Sequence, residues 1–328
     1  MSENVKNINE KQEFTKEMFE KVDRSKLNSE RISRPTIKYW SDVFRRLKMN
    51  KLAMFGIIVI VLLAIAASAE ILGDVLFKTK ITGYSYFEQD YSSMNVAPNS
   101  KFIFGTDSLG RDIFTRILYG TGYSLLIGVA TAFISFTIGI LYGGFAGITG
   151  GTVDLVMMRI AEIMYSIPYL LVVILLSVVM SSAGGSSFFV IIFALSFTSW
   201  LPLSILVRGQ VLQLKQSEYA LASTSIGASK WYILRKHIIP NAMGPILVDV
   251  TLTVPRAIFS EATLGFLGLG LQAPKASLGT LVNDGLKGMP VGNYYQIVIP
   301  AIFISLIMFS FNVLGDGLRD SLDPRLRK

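Results

Sequence analysis

The chain has 328 residues, of which 51% are hydrophobic and only 16% charged, against about a quarter charged in soluble domains. That composition excludes an ordinary soluble globular protein and points to a polytopic membrane protein. The net charge of +8 marks cytoplasmic loops and anionic lipid rather than nucleic acid, the absence of cysteine excludes disulfides and thiol chemistry, and a single histidine, His237, excludes a multi-histidine metal site.

The segment before about Arg34 is rich in Lys, Glu, Asn and Ser and reads as a flexible cytoplasmic tail, with a domain boundary near residues 40 and 41. A helix needs about 20 mainly apolar residues to cross the hydrocarbon core. Six segments qualify: about Leu52–Leu72, Tyr123–Ile148, Val153–Met180, Phe188–Leu212, Pro245–Leu267 and Tyr294–Leu314. The first ends in Ala67-Ser68-Ala69, which looks like a signal-peptide cleavage site. Its apolar run is too long for a signal peptide, and it starts too far from the N-terminus. Basic residues set the direction. Arg31, Arg34, Lys38, Arg45, Arg46, Lys48 and Lys51 precede the first span. Lys215, Lys230, Arg235 and Lys236 lie between the fourth and fifth, and Arg319, Arg325, Arg327 and Lys328 follow the sixth. An even number of spans puts all three groups on one side, so both termini are expected in the cytoplasm of a multi-pass cell-membrane protein.

The external loop after the first span ends in FIFGTDSLGRDIFTRILYG. Asp107 or Ser108 can cap a helix there. Ile113, Phe114, Ile117 and Leu118 would then form an apolar face, with Arg111, Asp112 and Arg116 around the other, lying along the outer membrane interface. In the second span, Gly139, Gly143, Gly144 and Gly147 suit tight helix packing. The third span carries Asp154, then Arg159 and Glu162, which can pair at i,i+3. In the fifth, Asp249, Thr253, Arg256 and Ser260 fall on one helical face. Ionisable residues inside a span are costly and signal function. The stripe is therefore expected to line a polar path or a subunit interface, or else to form an interhelical ion pair, Asp249 to Arg256 through water or Thr253. Pro255 should make the helix irregular beside it. Glu261 should point away from the stripe.

Between the fourth and fifth spans lies a polar, helix-forming island, Ser217 to Asn241. Its small residues Ala220, Ala222, Ser223, Ser225, Ala228 and Ser229 allow close approach. Gly227 lets two short helices meet at an angle. Trp231, Tyr232 and Leu234 can pack under the spans. Such an element fits a groove on a partner, or else lies on the membrane as an amphipathic connector. His237 reads as a solvated loop residue.

Three motifs, FGTDSLGRDIFTRILYG (residues 104–120), EATLGFLGLGLQAPKASLG (261–279) and LGDGLRDSLDPRLR (314–327), occur in order along the chain. Together with the island, in which Ile238-Ile239-Pro240 follows Gly227, they resemble the oligopeptide/dipeptide/nickel permease family of ABC importers, C-type subunit. That resemblance implies an all-α membrane protein of type I importer architecture with six transmembrane helices and a cytoplasmic coupling-helix loop. It implies that the 217–240 loop couples the permease to separate ATPases through Glu218, Tyr219, Ala222, Ser223, Gly227, Ala228 and Ser229. It also implies that Arg159 and Glu162, ahead of Ile167-Pro168, support an inner gate. The implied partners are a homologous second permease, two ATPase subunits holding ATP and Mg, an extracytoplasmic binding protein and the lipid bilayer. One departure stands out: where the wider importer pattern has Glu-Ala-Ala before its glycine, this chain has Leu221-Ala222-Ser223, leaving Glu218, a turn earlier, to supply the acid.

No phosphate-binding G-x-x-x-x-G-K-[ST] loop and no catalytic signature occurs, so ATP binding and enzyme activity are not expected in this chain. GLGLQ at Gly268 lacks the preceding strand and following lysine of a phosphate loop. The substrate class favoured is oligopeptides or dipeptides, with a nickel chelate as the alternative within the family. A self-sufficient secondary transporter would show internal repeats, and none is evident.

Overall fold

The computed structural model describes residues 39–74, 82–182 and 184–323. The expected N-terminal tail, with Arg31, Arg34 and Lys38, and the last basic residues Arg325, Arg327 and Lys328 lie outside the described residues. Contacts divide the chain into residues 1–42 and 43–328, and all the apolar spans belong to the second unit.

Among the described residues the architecture is helical, in line with the all-α expectation. After α1 (Tyr39–Met49), α2 (Lys51–Leu72) begins at Asn50, whose side chain accepts from Ala53 N at 3.1 Å. The helix α3 (Ile113–Thr149) has 37 residues, longer than the expected span. It starts at Asp112, not at Asp107 or Ser108: the Asp112 carboxylate accepts from Thr115 N at 2.7 Å. Burial raises the Asp112 pKa, with the Thr115 bonds pulling the other way. The expected third span is not one helix. It breaks into α4 (Gly151–Ser166) and α5 (Tyr169–Ser182), bent by 83°. Proline has no N–H and disfavours helical backbone in the residue before it; Ile167, before Pro168, is extended at ψ 130°. The next span consists of α6 (Ser187–Ser199) and α7 (Leu201–Leu214), with Trp200 between them and Pro202 opening the second.

The polar island folds as α8 (Glu218–Ser225) and α9 (Lys230–Ile233). A π turn, Leu234–Ile238, then leads into α10 (Ile239–Phe266), so the fifth crossing extends back to Lys230. Pro240 therefore sits in the first turn of α10, where a missing N–H costs nothing. A short helix, α11 (Leu278–Gly285), precedes α12 (Tyr295–Leu322). Among the described residues, five helical segments are long and apolar enough to cross a membrane, six if the bent pair counts as one.

The core runs along α3, α7, α10 and α12. Glycine stripes bring helix axes together, as expected of the second span. A side chain at Gly143 would meet the Ser204 backbone, one at Gly139 would meet Leu203, and one at Gly147 would meet Val211. The same device seats α11: Gly265 lies on the Gly279–Thr280 backbone, and Gly279 on Ala262. These are positions of the second family-like motif, so its small residues serve backbone contact.

Candidate functional site

In the island, α8 ends as Gly227 turns at φ +88°, a left-handed conformation that only glycine takes without strain. The turn closes through Gly227 N to Thr224 O at 2.9 Å and Ala228 N to Ser223 O at 3.1 Å. Ser229 caps α9 by accepting from Tyr232 N at 3.3 Å. Ala220 is buried against Ile233, Leu234, Ile238 and the C-terminal end of α7, which moors the pair to the spans. Glu218, Tyr219, Ala222, Gly227 and Ser229 are exposed, and Ser223 and Ala228 half-buried. The structure thus gathers the expected coupling residues on one exposed two-helix element. Sequence reasoning misses Ile226 at its tip, which is 88% exposed. Its only signal is an isoleucine directly before the turn glycine. Two expectations change here. Trp231 and Tyr232 remain half-exposed, with only Trp231 touching Phe145 of α3. His237 is not a solvated loop residue: its ring packs 5.8 Å from Tyr232 and 6.4 Å from Tyr219, tying α8 to the α9 turn.

The charges within the spans sort by partner. Arg208 donates two bonds to Asp154, at 2.6 and 2.7 Å, joining α7 to α4. Arg208 is legible as a charge inside an apolar run, but its partner is not, because the two lie 54 residues apart. Arg159 and Glu162 pair at 2.9 Å as expected, with side chains 69% and 59% exposed. Asp249 and Arg256 approach to 3.6 Å, too far for a hydrogen bond. Thr253 does not bridge them, since its hydroxyl donates to the Asp249 main-chain carbonyl at 2.9 Å. Ser260 likewise donates to Arg256 O at 3.0 Å.

A cavity of about 920 Å³ opens where α4, α6, α7, α10 and α12 lose regularity or face one another. Pro168, the Leu201–Pro202 break and Pro255 all line it. Thr253, Arg256 and Ser260 line it as well, while Asp249 lies outside its wall. Asn312 and Asp316 of α12 line it too, Asp316 from within the third family-like motif and Asn312 just before it.

At the end of α10 away from the island, the reading of Arg111, Asp112 and Arg116 as the polar face of a helix lying along the membrane interface is overturned. All three are buried. Arg116 reaches Asp107 at 2.6 Å and Asp284 at 3.0 Å, and Arg111 reaches the same two carboxylates at 2.7 and 3.0 Å. Two guanidiniums and two carboxylates therefore lock α11 to the start of α3. An amphipathic pattern cannot separate a wet polar face from one that meets opposite charges brought from far along the chain. Glu261 does point away from the stripe, and it is wholly buried, accepting from Ser124 Oγ at 2.9 Å. Ser124 Oγ also accepts from Leu278 N at 3.3 Å, at the start of α11.

The comparisons with known proteins agree with this geometry. The family described as binding-protein-dependent transport system inner membrane component matches residues 139–328, and the N-terminal TM domain of oligopeptide transport permease C matches residues 38–98. The dipeptide transport system permease protein DppC of Bacillus subtilis is 48% identical over 297 residues, covering 90% of this chain and 89% of the relative. The oligopeptide transport system permease protein OppC of the same organism is 46% identical, covering 97% and 100%. OppC of Escherichia coli K12 is 39% identical, covering 88% and 92%. A solved structure of the inward-facing MetNI methionine ABC transporter shares the fold at TM-score 0.50 and 18% identity, over 64% of this chain and 98% of that one. With the helical spans, the exposed two-helix element and full-length relatives of this kind, the chain belongs to the family of binding-protein-dependent transport system inner membrane components, as a permease subunit of an ABC importer beside DppC and OppC.

Proposed function

We propose that this permease carries dipeptides or oligopeptides, and that the 217–240 loop receives the force. The observation that supports it most is the two-helix element bent at Gly227, whose exposed apolar tip, Ile226, suits a groove on a separate ATPase. Glu218, Tyr219, Ala222, Ser223, Ala228 and Ser229 surround that tip. Two such ATPases would hold ATP and Mg and close against each other, and the resulting rigid-body shift would open the outer side. An extracytoplasmic binding protein delivers the peptide there. Both termini and the loop lie in the cytoplasm.

A second, homologous permease completes the path. Arg159 lies about 12 Å up α4 from Gly151 at helical rise, yet the Arg159–Glu162 pair is largely exposed. Arg256 is exposed at mid-span too. A charge facing lipid at that depth costs about 3 kcal/mol. These faces therefore meet the other permease or a water-filled path, with Asp249, Thr253, Arg256 and Ser260 on the path side. Arg159 and Glu162 support the inner gate at the Pro168 bend.

The test is uptake of labelled peptides into proteoliposomes holding the complete complex, with binding protein outside and ATP inside. Uptake should need both, stop with vanadate and persist with a proton ionophore. Uptake that follows the proton gradient without ATP would overturn the reading.

A further inference from the structure

Arg256 is held more loosely than Arg208 and Arg116. Arg208 makes two short bonds to Asp154 and Arg116 reaches two carboxylates, whereas Arg256 stands 3.6 Å from Asp249 with its side chain 60% exposed. It opens into the cavity that also contains Asp316, which has no ion pair or hydrogen bond among the described residues. Two hydroxyls in the same wall, Thr131 and Thr198, are buried without partners. Much of the remaining wall is apolar, including Leu252, Phe259 and Met308. The cavity thus offers a cationic fork held by one long ion pair and an exposed carboxylate, set in a surface indifferent to side-chain identity. Its volume falls within the range of small-molecule sites.

We propose that this cavity is a transit site for the main chain of a short peptide, with the terminal carboxylate on Arg256 and the α-ammonium facing Asp316. The inference rests on the peptide-importer reading above. Guanidinium matches a carboxylate with two parallel bonds. A zwitterion crossing a low-dielectric region needs both charges met. Recognition of the ends and backbone leaves the apolar wall free to accept varied side chains. Asp249 holds Arg256 loosely enough to give it up to the incoming carboxylate.

The experiment uses the complete complex in proteoliposomes, with the binding protein loaded to equal, measured occupancy with trialanine or with trialanine C-terminal amide. The wild type should import the free acid at least about tenfold faster than the amide, as expected when a buried polar group is left unmatched. Arg256→Gln should bring the acid down to the amide rate and leave the amide rate unchanged, with Arg256→Lys between. Equal wild-type rates for acid and amide overturn the proposal, and need no variant to assemble. Equal slowing of both peptides by Arg256→Gln also overturns it, making Arg256 structural. Wild-type import of neither peptide, with the ATPases active, would overturn the peptide reading itself and this proposal with it.

Discussion

Gly227 shows what one residue contributes here. A Cβ at this position would meet nothing within 4 Å in the chain, so intramolecular crowding is not what demands glycine. The demand comes from φ +88°, which costs a non-glycine residue about 1–2 kcal/mol and a β-branched one more. Asparagine tolerates that conformation, and valine does not. Gly227→Asn should therefore retain most ATPase copurification and uptake, while Gly227→Val should lose both yet remain in the membrane. Lys236→Ala, beyond the exposed tip, should be mild. Equal behaviour of the valine and asparagine variants would show that the backbone turn is not what couples the subunits. Sequence reasoning finds this position from spacing, because glycine at a helix junction has few other uses. It misses Ile226, since an isolated isoleucine reads as core until its surroundings are known.

At the scale of elements, short polar links fasten helices whose surfaces are otherwise apolar. Asp154 and Arg208 tie α4 to α7, while α4 also packs on α3. Removing one partner strands a charge, at a cost of about 3–5 kcal/mol for buried pairs. The partial exposure of Arg208, 32%, places it at the low end. Arg208→Ala should lower the thermal unfolding midpoint of the purified complex by several degrees, and Asp154→Leu with Arg208→Met together should recover most of the loss. An unchanged midpoint in Arg208→Ala would mean the pair contributes nothing to holding α4. At the far end of α10, Asp107, Arg111, Arg116 and Asp284 do the same for α11, and Glu261 with Ser124 seats its other end. That end of the bundle is thus anchored at both ends of α11, whereas α8 and α9 stand out at the opposite end of α10.

Across the whole molecule, the distribution of charge and the break at Pro168 define sides and faces. Reporter fusions at Asn99 and Ser225 should fall on opposite sides of the membrane, Asn99 outside and Ser225 inside, by the placement of lysine and arginine. Both reporters on one side would reject the orientation. The exposed Arg159–Glu162 pair and Arg256 belong to faces that lipid would penalise, which is consistent with a second subunit or a water-filled path beside them.

Which segments are helical and apolar, where the two short helices meet at Gly227, and which glycines let α3 close on α7 are all legible along the chain. They follow from local properties: run length, small residues at helical spacing, and backbone conformations open only to glycine. The family is legible too, through motifs long enough to be specific. That Pro168 bends a crossing by 83° instead of merely kinking it is a tertiary outcome. Proline removes a bond wherever it stands in a helix, and neighbouring helices set how far the chain then turns. Partners far apart in the chain are likewise settled in three dimensions: Asp154 with Arg208, and Asp284 with Arg111 and Arg116. A charge pattern gives the face on which a residue lies, but whether that face meets water, lipid or an opposite charge depends on which helices fold against it.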